Sequence, residues 1–310
     1  MKKITLSLIA LTLLSSSAEF QYGTGTFNMK GGFLGLTGSI GTDIDTFTLA
    51  DHHSNIVGSD IFYSYDITWM DSQTLKQAQH TYNNMASTAN GFIPIASNTL
   101  EIPSMEYRVK GLDANIRLGY DVLHKGEGDF LGLGVLVGLS MPWIDSSSSA
   151  TPSNDAIRFL LENQDSALTA ADLFKKSKTK VMTYKIGPSV NFQKTLVSDK
   201  LSVYGMASLA YQTAYIENDY VNSTFTVNGS FQEVNLGLYY TPFTENYEWG
   251  WLTLSPRIYA TLGYKYSKWD VDEMLINISG AKMSSKILDP LGMKFGFDSS
   301  VGYIGVGYSF

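Results

Sequence analysis

Ser299-Ser300-Val301-Gly302-Tyr303-Ile304-Gly305-Val306-Gly307-Tyr308-Ser309-Phe310 closes the chain. Its apolar positions recur with a period of two, so the stretch reads as a β-strand. Ser300, Gly302, Ile304, Val306, Tyr308 and Phe310 share one face, which grows apolar toward the end. Val301, Tyr303, Gly305, Gly307 and Ser309 share the other. A soluble protein rarely ends on such a strand, because chain ends fray unless tied down. A transmembrane barrel requires one, since its last strand must pair with its first and leave no open edge in lipid. The apolar face should then contact lipid, and the pairing partner should be the stretch that begins near Thr24.

The other end of the chain carries an export signal. Lys2 and Lys3 precede an apolar run over residues 4–14, and Ser15, Ser16, Ser17 and Ala18 form a small-residue exit. Cleavage after Ala18 is expected, which leaves 19–310 as one mature domain. The run is shorter than the roughly 20 residues of a spanning helix. No other segment is long and apolar enough for one. Yet 44% of the residues are hydrophobic, with 19 Tyr, 16 Phe and 28 Gly. An exported chain of this kind is a secreted β protein or a membrane barrel. Cysteine is absent, which excludes disulfides, thiolate metal sites and thiol nucleophiles. Without Lys2 and Lys3 the chain holds 20 basic and 29 acidic residues, a formal charge of −9. That balance argues against nucleic acid or an anionic surface as the main partner.

Ten alternating segments follow, at 24–37, 43–51, 60–70, 104–123, 130–143, 180–196, 201–216, 230–241, 249–268 and 299–310. Taking the first two as a luminal segment lowers the count to eight, and adding 274–283 raises it to twelve. A β-sandwich would use strands of about five or six residues; most of these are twice that and are fringed by Tyr and Trp. Short polar turns alternate with long polar connections. Helical periodicity is expected in two of the long ones. At 71–89, Leu75, Ala78, Tyr82, Met85 and Ala89 share a helical face. At 145–179, Ser153 and Thr169 sit at capping positions. A bulge is expected near Gly111, and a bulge or ladder break at Pro188, which has no N–H to donate.

The export signal, the terminal strand and the alternation across nearly the whole mature chain resemble the Gram-negative outer-membrane β-barrels, of the porin-like or small outer-membrane-protein type. The resemblance implies an all-β, antiparallel up-and-down barrel in the cell outer membrane, surrounded by outer-membrane lipid. It also implies that Tyr308 and Phe310 form an assembly signal read by the barrel-assembly machinery.

The inward positions carry more bases than acids. Arg108, Lys110, Arg117, Lys185, Arg257 and Lys265 face Asp66, Asp113 and Glu233. A basic wall favours anions in a pore, so a porin-like channel for small polar solutes with an anion preference is expected. The alternative reading stands beside it: the charges pair with one another and hold a narrow barrel shut, and the external loops bind a partner, surface or lipid. Catalysis is not expected. Of the four histidines only His80 falls on the external side, while His52, His53 and His124 fall in predicted periplasmic turns. Asp51, His52 and His53 read as a solvated turn, because neighbours on an extended chain point apart. Gly132, Gly134 and Gly138 leave room in the interior, and no helix follows them to complete a phosphate loop. No cofactor or metal is expected.

Overall fold

The computed structural model describes residues 17–33, 36–55, 59–78, 80–83, 99–102, 104–123, 129–147, 176–197, 200–218, 221–249, 252–278, 281–284 and 294–309. Ten long antiparallel strands form the wall. They are β1 (Ser17–Phe33), β2 (Leu36–Asn55), β3 (Ile61–Ser72), β4 (Met105–Asp121) and β5 (Phe130–Ser147). Then come β6 (Lys176–Val197), β7 (Leu201–Asn218), β8 (Val221–Tyr240), β9 (Ile258–Ile278) and β10 (Lys294–Ser309). Each pairs with its sequence neighbours, and β10 pairs with β1 from Ser17↔Ser309 to Gly32↔Lys294. The sheet is closed, so the wall has no free edge.

Burial is inverted relative to a soluble protein. Phe20, Phe47, Leu118, Val137, Ile186, Leu262, Ile304 and Val306 are exposed on the outside, while Glu19, Asp66, Arg117, Lys185 and Glu233 are buried within. Only lipid makes that arrangement favourable, since water would leave the apolar belt exposed. Trp69 packs edge-on against Trp143 at 5.3 Å along one rim of the belt. Tyr120 on the other rim donates to Asp60 at 3.0 Å. Aromatic side chains sit well at such boundaries, with an apolar body and a polar tip. The two longest connections, 73–104 and 148–175, leave one end of the barrel. The chain ends leave the other. The long-loop end is therefore the outer one. The molecule is a transmembrane β-barrel of the outer membrane.

Several expectations needed correction. β1 starts at Ser17, not at 24, and β2 is a full 20-residue strand. The run 71–83 is extended where it is described, not helical. Leu75–Gln77 pairs with β4, and His80–Asn83 pairs with Thr99–Ile102. Ladder pairing of the backbone takes the place of the expected helical face there. The remainder of that helix and both helices of the 145–179 loop lie outside the described residues, as do residues 1–16 and Phe310.

The register of β4 runs without a bulge past Gly111. Phase therefore continues, and Arg108 and Lys110 point outward. There Arg108 reaches Asp71 through Nε at 3.0 Å and Nη2 at 2.9 Å. Trp249 belongs to a small hairpin, Tyr247–Trp249 with Leu252–Leu254, and not to β9. Ala281–Ser284 folds back on the upper end of β9 and adds no wall strand. At Pro188 the expected break is present on one side: β6–β7 pairing lapses between Ser208↔Ser189 and Tyr211↔Ile186, with the register kept.

Candidate functional site

The lumen is filled in three layers. The middle layer is ionic. Alternation places Asp66 on β3, Asp113, Asn115 and Arg117 on β4, Lys185 on β6, Glu233 on β8 and Lys265 on β9, all inward. Arg117 Nη1 donates to Asp66 at 2.6 Å, its Nη2 donates to Glu233, and its Nε donates to Ser208 at 3.4 Å. Lys185 donates to Asp113 at 2.6 Å. Lys265 donates to Asp66 at 2.6 Å and lies 3.0 Å from Glu233. Asn115 donates to both Asp66 (3.0 Å) and Asp113 (2.8 Å), so one amide holds the two carboxylates in place.

Three cations thus meet three anions. The carboxylates converge to within 4.8 Å, the spacing of a cation site, but basic nitrogens already occupy the centre. Burying such charges is tolerable only because each is paired and hydrogen-bonded. Lys185 Nζ also lies 4.0 Å from the centroid of the Phe231 ring, a cation–π contact.

The inner layer, at the short-turn end, is aromatic and polar. Glu19 accepts from Gln21 at 2.9 Å and from Thr261, and lies 2.9 Å from His52 Nε2. His52 packs on the Tyr204 ring at 4.0 Å. The Tyr204 and Tyr303 hydroxyls are 2.6 Å apart, and Tyr303 donates to Asn235 at 2.6 Å. Tyr204 lies over Gly237 and Tyr303 over Gly263, each directly across from its glycine on the next strand. A Cβ there would meet the ring, so the glycines make room for the tyrosines that fill the barrel.

The outer layer is apolar. Phe27, Met70, Phe231 and Trp269 cluster, with Phe297 packed against them. Trp269 sits between Phe27 (6.4 Å) and Phe231 (5.4 Å), and its Nε1 donates to Ser140 at 3.4 Å.

Six of the expected inward residues, Asp66, Asp113, Arg117, Lys185, Glu233 and Lys265, are brought together here. Arg257 is not among them. It is exposed in the turn before β9, because that strand begins nine residues later, at Ile258 instead of 249. Tyr308 is exposed on the lipid face beside β9, as its phase requires.

His52 is the largest surprise. β2 runs on to Asn55, and His52 keeps the inward phase of Ile44, Thr46 and Ala50, so it points into the lumen instead of lying in a solvated turn. The expected strand stopped at Asp51, one residue short of it. Glu19 and Gln21 carried a readable signal, the alternation with Phe20 and Tyr22, but it fell before the expected strand start. The interior room at Gly132 and Gly138 is taken: Phe62 lies against the first, Asn115 and Lys185 against the second.

No protein-family model matches the chain, and no curated protein matches it in sequence. Solved structures give fold likeness only. The outer membrane protease OmpT from Escherichia coli is 11% identical, with a TM-score of 0.49, covering 95% of this chain and 96% of that one. The translocator domain of the autotransporter NalP from Neisseria meningitidis is 10% identical, with a TM-score of 0.36, covering 100% and 95%.

Proposed function

We propose that the protein is a closed outer-membrane barrel that binds at its long-loop end and has no catalytic role. One observation carries this reading: the six charges of the middle layer are buried and paired with one another, so none of them is available to draw an ion through. A ten-stranded wall leaves little interior, whereas open porins use about 16–18 strands. The test is conductance of the purified protein in planar bilayers. No stepwise current is expected at neutral pH in potassium chloride; a stepwise current overturns the reading.

A second reading, a narrow solute channel, draws on a cavity of about 30 Å³ beside the ionic layer. Thr46, Thr48, Thr68, Ser267 and Ser299 line it, with Lys265 at its edge. If current does flow, a basic selectivity filter requires that Arg117→Met or Lys185→Met change its ion preference. An unchanged preference removes the anion-selective form.

A further inference from the structure

At the end of the barrel that holds the chain ends, connections 56–60, 122–129 and 198–200 are short. The connection from β8 to β9 is different. It runs over 241–257 and contains the small hairpin, Tyr247–Trp249 with Leu252–Leu254. Its sequence is rich in aromatic residues: Phe243, Tyr247, Trp249 and Trp251.

The hairpin ladder pairs Tyr247 with Leu254, Glu248 with Thr253 and Trp249 with Leu252. Residues directly opposite in a ladder occupy one face, and neighbours along a strand alternate between faces. Tyr247, Trp249, Leu252 and Leu254 thus hold the register positions of one face, and Glu248 and Thr253 those of the other. A two-stranded ribbon is marginally stable in water and needs a surface for its apolar face. Among the described residues the two arms pair with each other and with no strand of the wall. Tyr247 is 60% exposed.

The ribbon begins where the lipid-facing belt ends. Its stems follow from Tyr240, the last residue of β8, and lead into Ile258, the first of β9. Tyr240 and Leu238 are exposed on the outer face, and so is Tyr308, which pairs with Ile258. The apolar face of the hairpin is therefore continuous in chain and in chemistry with the wall that already meets lipid. Tyr and Trp settle at the boundary of hydrocarbon and headgroups, with the ring out of water and the polar tip in it. The charged side chains of 241–257 are Glu245, Glu248 and Arg257, two acids and one base, a balance of −1. Such a segment is not drawn to an anionic surface, so its contact with lipid is an apolar one.

We propose that the 241–257 hairpin is a membrane-surface anchor. Its Tyr247–Leu254 face lies in the headgroup boundary of the inner leaflet, and its Glu248–Thr253 face is turned to the periplasm. Interfacial aromatic anchors of this kind set the tilt and rotation of a spanning unit. This goes beyond the binding assigned to the long-loop end and does not depend on it.

The chain has no cysteine, so one substitution places one nitroxide label. Tyr247→Cys and Glu248→Cys are labelled in the full-length protein and placed in phosphatidylcholine nanodiscs, which leave both membrane surfaces open to solvent. Power saturation then compares collisions with oxygen, which concentrates in lipid, and with a nickel chelate, which stays in water. The label at 247 should be relaxed more by oxygen than by nickel, and the label at 248 more by nickel than by oxygen. Neither preference should change when anionic phospholipid is added. Leu254→Cys repeats the measurement from the other arm if Tyr247→Cys disturbs the ribbon. Nickel dominance on both faces places the hairpin in water and overturns the proposal. Oxygen dominance on both faces overturns it too, since the ribbon then has no periplasmic side. Dipolar broadening at 247 that disappears on dilution with unlabelled protein shows a second copy on this face, which also overturns it.

Discussion

Arg117 shows how much a single side chain can determine. Its guanidinium bridges Asp66 and Glu233 from opposite sides of the lumen and is fully buried. Removing it leaves two buried carboxylates to share Lys265. Arg117→Met should therefore cost about 3–5 kcal/mol, read as a lowered urea midpoint for unfolding from lipid vesicles. Arg117→Lys should recover only part, because an ammonium lacks the planar fork that spans two carboxylates. Arg108→Ala breaks a bidentate pair too, but an exposed one, and should cost about 1 kcal/mol or less. Equal losses at the two sites would contradict the layered lumen. Arg117, Lys185 and Lys265 were legible as inward residues from strand phase alone. Their pairing was not, because β-strand periodicity gives the face a residue occupies and says nothing about which strand lies across the barrel. His52 was missed because the expected strand stopped at Asp51, whereas β2 continues to Asn55 with His52 in the inward phase of Thr46 and Ala50.

Among the strands, β5 illustrates why glycine sits where it does. A Cβ at Gly138 would meet Lys185 Cε at 2.8 Å and crowd Asn115 Oδ1. The glycine is the clearance through which Lys185 crosses to Asp113. Gly138→Val should push that lysine aside and cost about 1–3 kcal/mol by overpacking, in the same unfolding assay. In a Lys185→Met background the penalty of Gly138→Val should shrink, because the two sites share one contact. Additive penalties would show that the clearance is not for the lysine. Strand existence and face were readable throughout, most clearly in β3, β4, β5 and β6. Boundaries were less so. β1 and β2 are rich in glycine and threonine, and what makes them strands is pairing with β10 and β3, not local preference.

For the whole molecule, closure is the property that matters. β10 satisfies the edges of both β1 and β9. A chain ended after Asp298 would leave two rows of unpaired backbone groups in hydrocarbon, each costing several kcal/mol. Such a truncation should give no folded barrel, seen as loss of the mobility difference between unheated and heated samples in a detergent gel. A folded species from it would contradict the pairing of β10 with both neighbours.

The period-two alternation by itself determined the barrel, its lipid-facing side and the role of residues 299–309 as the closing strand. Those follow from local chain geometry and from the need to satisfy every backbone group in lipid. Tertiary structure alone decided what the lumen does. Whether inward charges line an open path or cancel one another depends on distances across the barrel, between residues as far apart as Arg117 and Glu233. Those distances are set by the ten-strand closure and by the side chains that fill it.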